Sequence, residues 1–243
     1  MERIDEKDNF VINKDFDLSI HHVGQEKRIV AVIDNFLLEP ECLYKAAIDA
    51  GSFKEYIEFG NYYPGIRAAI PAAYQNAICD GLREIFSNIF GVSSSRRAKT
   101  ASCYSLTTTK PEDLSILQKL PHFDSFDSDF FAVLHYLCNE SYGGTAFFRH
   151  QKTGYESIDR ERMKEYWPVV EQELQDSGEP RAAYIDEETK HYEKTAEFTA
   201  RYNRLLIYRG KMLHAGIIKG EKSLSPDPSV GRLTANSFIS FPI

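Results

Sequence analysis

Phe130-Phe131-Ala132-Val133-Leu134-His135-Tyr136-Leu137 is apolar at nearly every position. A strand-length run that is apolar on both faces belongs in the middle of a sheet covered on both sides. Working outward from it, runs rich in β-branched and aromatic residues recur at 100–107, 204–208, 212–218 and 232–241. Another, Arg28-Ile29-Val30-Ala31-Val32-Ile33-Asp34, lies near the N-terminus, where the first 35 residues read as extended. Gly143-Gly144 predicts a turn, followed by a short run over 145–148. Strands interrupted by one long segment of helical character predict a mainly β chain with flanking helices, an α+β protein. The expected architecture is a two-sheet jelly roll, that is, a cupin-like double-stranded β-helix with N-terminal helices packed outside.

Helical spacing appears in three places. Glu39-Pro40-Glu41 opens a helix in which Leu43, Ala46, Ala47 and Ala50 repeat at helical intervals, and Gly51 suits its C-terminus. Tyr74, Ile78, Leu82, Ile85 and Ile89 form a stripe that predicts one helix from about 71 to 90, ended by Gly91. The Tyr- and Gly-rich stretch between them, 53–71, reads as an irregular loop. After the Gly-Gly pair, residues 151–203 read as a helical insertion: Met163, Tyr166, Trp167, Val170 and Leu174 make one stripe, kinked at Pro168, and Asp186 is placed to cap a second helix over 187–201.

Length and charge narrow the class. The chain has 243 residues, 42% hydrophobic, which suits one large domain of jelly-roll type over 1–243. No apolar run reaches the ~18–20 residues of a membrane helix. The charged start Met1-Glu2-Arg3-Ile4-Asp5-Glu6-Lys7-Asp8 has no signal-peptide core. Cys42, Cys79, Cys103 and Cys138 lie far apart with no CxxC pair, as expected of reduced thiols in a cytoplasmic protein. The net charge of −7 disfavours a nucleic-acid partner, which would require a basic stripe. Most of that charge sits between Lys152 and Arg201, where 13 acidic residues face 8 basic ones.

Of the seven histidines, spacing selects two. His122-Phe123-Asp124 puts an imidazole and a carboxylate on one face of an extended segment, so that both can chelate one ion. Asp127 and Asp129 continue the alternation and compete for the carboxylate role. His214 opens a strand-like run after the insertion, where a jelly roll folds back across the first pair. Two histidines and one carboxylate leave open positions on an octahedral ion, the facial triad of non-haem iron oxygenases. Arg232 and Thr234 share a face of the last strand, where a guanidinium and a hydroxyl could grip the far carboxylate of 2-oxoglutarate. Each piece taken singly has a plain structural reading: a turn before a strand for His122, a core histidine for His214, a surface ion pair for Arg232. His150 and His191 read as solvated.

In their order, His122-Phe123-Asp124, Leu134-His135-Tyr136-Leu137-Cys138-Asn139, Gly143-Gly144-Thr145-Ala146-Phe147, His214 and Arg232-Leu233-Thr234 resemble the 2-oxoglutarate/Fe(II)-dependent dioxygenases, in particular the prolyl-hydroxylase-like branch. The resemblance spans about 102–241. It departs in a long gap between His214 and Arg232 and in the large insertion. It implies Fe(II) held by His122, Asp124 and His214, and 2-oxoglutarate held by Arg232 with Thr234 and Tyr136, Tyr104 being a weaker candidate. It further implies O2 as oxidant, succinate and CO2 as products, and hydroxylation of a small-molecule, amino-acid or peptide substrate. The retained Asp124 separates the chain from iron halogenases of this fold, which carry a small residue there. Two alternatives stay open at this level. One is a catalytically silent jelly-roll protein that binds a metal or ligand; the other is a cupin-type metalloenzyme without 2-oxoglutarate. The acidic insertion is expected to form a helical lid beside the pocket.

Overall fold

Alternating apolar residues make most of these runs into strands, and the pairing partners decide which face each side chain takes. The computed structural model describes residues 10–55 and 63–242. In chain order the strands are β1 (Asp17–Val23), β2 (Arg28–Asp34), β3 (Lys54–Glu55), β4 (Gly65–Ala69), β5 (Lys99–Thr107), β6 (Phe130–Tyr136), β7 (Gly143–His150), β8 (Tyr192–Thr199), β9 (Arg204–Arg209), β10 (His214–Ile218) and β11 (Leu233–Ser240). The helices are α1 (Pro40–Asp49), α2 (Ala72–Gly81), α3 (Arg83–Asn88) and α4 (Arg160–Ser177). An eight-stranded antiparallel sheet has the order β1-β2-β9-β6-β11-β5-β4-β3, and a three-stranded sheet has the order β10-β7-β8. The run at 130–136 is interior to the large sheet, between β9 and β11.

Three apolar layers follow. On one face of the large sheet, Ala31, Phe131, Val133, Leu205, Ile207 and Ala235 pack against Leu43, Tyr74, Ile78 and Phe86 of the three N-terminal helices and against Leu82 between α2 and α3. Each buried Val, Leu, Ile or Phe among them contributes roughly 1.5–3 kcal/mol relative to exposure. Between the two sheets lie Val30, Val32, Ala132, Tyr136, Leu206, Tyr208, Phe147 and Met212. On the outer face of the small sheet, Ala146, Phe148, Ala215 and Ile217 meet Tyr166 and Val170 of α4. Asp159 starts α4 by accepting hydrogen bonds from the backbone N–H groups of Glu161 and Arg162. Among the described residues, no helix is long and apolar enough to cross a membrane.

Several expectations are corrected. The helix expected over 71–90 is two helices, broken at Leu82, whose ψ of 0° leaves the helical range. The second helix expected in the insertion, 187–201, is instead strand β8. Its residues alternate Tyr192, Lys194, Ala196, Phe198 against Glu193, Thr195, Glu197, a period of two that outweighs the acidic cap. Gly143 and Gly144 do not form a turn but begin β7, because a Cβ on either would lie within 2.2 Å of a neighbouring strand's carbonyl oxygen, that of Ile217 or Phe198. The stretch expected as loop, 53–71, contains the hairpin strands β3 and β4; residues 56–62, like the charged start at 1–9, lie outside the described residues. The four cysteines are unpaired; Cys138 is buried and the others are partly exposed.

Candidate metal and anion site

The site lies between the two sheets. His122 and His214 form an isolated antiparallel bridge, each donating its N–H to the other's carbonyl at 2.8 Å. Two residues on, the Asp124 N–H donates to the Gly210 carbonyl. This crossing demands a glycine: a Cβ at 210 would stand 2.6 Å from the Phe130 ring and 3.2 Å from the Asp124 Cβ. The short antiparallel crossing thus puts His122 and Asp124 on the same side as His214. Phe123, of opposite parity, packs with the α4 layer.

One ligand atom from each of His122, Asp124 and His214 lies within 4.8 Å of the others. Asp124 Oδ1 is 3.9 Å from His122 Nε2, and Oδ2 is 3.6 Å from His214 Nε2. These separations are too long for hydrogen bonds and short enough for a shared ion. His214 Nδ1 donates to the Met212 carbonyl at 2.8 Å, which leaves the Nε2 lone pair directed at Asp124. Asp124 Oδ2 is buried with no hydrogen-bond partner among the described residues. Burial raises the Asp124 carboxyl to about 6, against the lowering influence of His122 and Arg67. Burial also lowers His214 to about 4, so its imidazole is neutral. His122 is held down by desolvation and by His214, an effect tempered because 54% of its side chain is exposed. Two neutral imidazoles and an orphaned buried carboxylate are a donor set that fits a divalent ion. Asp127 and Asp129 do not join it: Asp127 is exposed, and Asp129 pairs with Arg96 and Arg209.

Arg232 enters from the large sheet. It is 4% exposed, its Nη2 donates to the Gly144 carbonyl at 2.8 Å, and its Nε has no partner. Among the described residues no acid pairs with it. Its Cζ lies 5.6 Å from the ring centre of Tyr136, whose hydroxyl meets Thr145 Oγ1 at 2.7 Å. Thr234 is buried on the same face, its hydroxyl directed at the Ser105 carbonyl at 3.5 Å. Burial pushes the Tyr136 hydroxyl up to about 12, so it is a neutral donor.

Tyr104 is not part of this arrangement. It pairs with Ala235, whereas Tyr136 pairs with Thr234, so the two tyrosines occupy opposite faces of the sheet. Tyr104 lies in the helix layer and donates to the Leu43 carbonyl at 2.9 Å. The reading of His150 as solvated is also corrected: it is fully buried, with Thr153 Oγ1 on one ring nitrogen and Glu173 on the other, both at 2.9 Å. His191 contacts the same Glu173 carboxylate at 3.3 Å. The acidic helix α4 is no lid over the site, since it backs the small sheet from outside. The loop after it does reach inward: Tyr184 donates to the Thr109 carbonyl at 2.7 Å and feels both Tyr63 and Arg232.

Four further residues border the site without having been singled out in the sequence. Tyr208 stands edge-on to His214 with ring centres 4.8 Å apart; its place at alternate spacing in β9 was the available signal. Asn236, two positions beyond Thr234, has a buried Oδ1 without a partner. Arg67 and Tyr63 come from the segment read as loop.

Comparison with known proteins gives the following. No curated protein matches the chain. Among solved structures, it is similar to HygX from Streptomyces hygroscopicus with nickel, 2-oxoglutarate and hygromycin B bound. The identity is 12% over 88% of this chain and 82% of that one, with a TM-score of 0.45. It is also similar to an N-substituted L-amino acid dioxygenase from Burkholderia ambifaria AMMD, at 12% identity over 92% of this chain and 93% of that one, TM-score 0.37. A family model described as a family of unknown function, DUF6445, matches residues 14–239, and the chain belongs to that family.

Proposed function

We propose that this chain is an Fe(II)- and 2-oxoglutarate-dependent oxygenase that hydroxylates a small-molecule, amino-acid or peptide substrate. The observation that carries this reading is the pair of unfilled polar sets that lie between the two sheets. One is the His122–Asp124–His214 cluster with its orphaned carboxylate oxygen, and the other is the buried, acid-free Arg232. Charges left alone in a protein interior cost several kcal/mol, so their retention points to ligands that complete them. In this reading β5 to β11, with the His122 segment, form the jelly roll of a single domain of the prolyl-hydroxylase-like branch.

Each residue then has a task. His122, Asp124 and His214 would hold the ion, with the Met212 carbonyl fixing the His214 tautomer. Arg232, steadied by the Gly144 carbonyl, would bind the far carboxylate of 2-oxoglutarate, with the Thr234 and Tyr136 hydroxyls beside it. Phe147, Tyr208 and Met212 would exclude water from the space between. Iron held there would supply, with O2, the oxidising chemistry, and 2-oxoglutarate would be the cosubstrate spent as succinate and CO2.

Thermal denaturation of the metal-free protein tests the reading. Mn(II) and 2-oxoglutarate together should raise Tm more than either alone, each ligand at 100 times its Kd adding about 2.7 kcal/mol to the stability of the folded protein. A response to metal without any response to 2-oxoglutarate would leave a metalloenzyme of cupin type, and no response to either would leave a silent binding protein.

A further inference from the structure

Arg232 is not alone on its side of the sheet. Arg67 pairs with Ser105, Ser105 with Thr234, and Thr234 with Tyr136, so one row of the sheet aligns all four side chains on one face. That face is the one turned away from the helices, since the next residue, Ala68, lies in the helix layer. The Arg67 guanidinium stacks on the Tyr63 ring, its Cζ 4.6 Å from the ring centre. The Tyr63 hydroxyl in turn meets Thr107 Oγ1 at 3.2 Å, which pins the stack to β5. The Arg67 Nε is buried and has no hydrogen-bond partner, and among the described residues no acid forms an ion pair with it.

Two guanidinium groups with no acid paired to them among the described residues thus lie on the inner side of the large sheet, on β4 and just before β11, with β5 between them. The oxygenase reading uses only one, because 2-oxoglutarate has one carboxylate remote from the metal. A planar guanidinium held against an aromatic ring is preorganised for bidentate contact with a planar carboxylate. We propose, on the basis of that reading, that Arg67 binds a carboxylate of the substrate itself, so that the substrate is a carboxylic acid oriented by Arg67 towards the ion held by Asp124.

The test uses the full chain loaded with Mn(II) and 2-oxoglutarate. Acetate, benzoate, hippurate and free L-amino acids are each compared with the corresponding primary amide by thermal shift, followed by titration of the best acid. At least one acid should stabilise the loaded protein more than its amide does. Arg67→Met should weaken that acid by ~30-fold or more, as expected when one partner of a desolvated charge pair is removed. Arg67→Lys should recover part of the loss, and both variants should keep 2-oxoglutarate affinity within ~3-fold of the parent. If no acid is preferred over its amide, or Arg67→Met binds the acid as well as the parent, the inference is wrong and the oxygenase reading stands. If Arg67→Met loses 2-oxoglutarate as severely as Arg232→Met, Arg67 belongs to the cosubstrate and the inference is again overturned. If the parent binds no 2-oxoglutarate at all, the oxygenase reading fails first and takes the inference with it.

Discussion

His135 and Tyr136 are neighbours on β6, both fully buried, and they face opposite sides of the large sheet. On the helix side, His135 receives a hydrogen bond from the Tyr74 hydroxyl at 2.9 Å and donates to Asn203 Oδ1 at 3.2 Å. Burial holds its imidazole near 4, hence neutral, and neither nitrogen is left over. On the side of Tyr136, the Asp124 Oδ2, Arg232 Nε, Arg67 Nε and Asn236 Oδ1 atoms are all buried with no partner among the described residues. A polar group that serves the fold has its hydrogen bonds completed within the fold. Groups that are conspicuously incomplete, and that gather on one face, mark where a ligand completes them. The two sides of a single sheet thus separate a histidine whose hydrogen bonds are complete from a candidate site whose polar atoms are not.

Substitutions on the two sides should break in different ways. The largest effect is expected from Asp124→Ala. The stabilisation conferred by Mn(II), about 4 kcal/mol at 1,000 times the parent Kd, should vanish, while the metal-free protein keeps its Tm or gains slightly, having lost a buried orphan acid. Thermal scans with and without the ion report both quantities. His135→Ala should do the reverse. Losing a packed ring and stranding the Tyr74 and Asn203 partners should cost roughly 3 kcal/mol in urea unfolding, with the Mn(II) increment preserved.

Gly210→Ala lies between the two cases, because the added methyl strikes both the Phe130 ring and Asp124. It should lose about 1–3 kcal/mol of stability and weaken Mn(II) as well, so the two measurements should fall together. The smallest effect is expected far from the site, at Asp34. There the Arg204 hydrogen bonds, at 2.6 and 2.7 Å, hold the carboxyl below its ordinary value despite partial burial. A carboxyl depressed in the folded state contributes stability above its unfolded pKa and loses it as pH falls through the folded value. Asp34→Asn should therefore cost about 1–2 kcal/mol at neutral pH and progressively less in acid, with no change in metal response. A constant difference across pH would contradict this.

Much of this division could be seen in the sequence, and the limits have physical causes. The strand at 130–136 and the Tyr74–Ile78–Leu82–Ile85 stripe were legible because their hydrophobic periods are strong and local. The His122–Asp124 and Arg232–Thr234 candidates were readable because parity along an extended segment fixes which neighbours share a face, whereas His214 was placed by the expected fold-back of a jelly roll. Parity between strands is another matter, since it depends on register. Tyr104, the weaker of the two tyrosine candidates, cannot be set aside until Ala235 and Thr234 are seen to be the respective partners of Tyr104 and Tyr136. β4 was hidden because glycine and tyrosine signal irregular chain. Gly65 is there for close approach, as a Cβ would sit 2.0 Å from the Leu106 carbonyl oxygen. With β4 went Arg67. The acidic insertion misled because charge describes its solvated surface, while its alternating β8 residues pair with β7.

The central claim is that Arg232 and the His122–Asp124–His214 cluster complete one site across the gap between the sheets. Calorimetric titration of 2-oxoglutarate into the Mn(II)-loaded protein and its Arg232→Met variant tests it most directly. The parent should bind with a stoichiometry of one and much more weakly without Mn(II), and the variant should lose ~30-fold or more in affinity while still binding Mn(II) as the parent does. Binding of 2-oxoglutarate that is indifferent both to Mn(II) and to the loss of Arg232 would contradict the account.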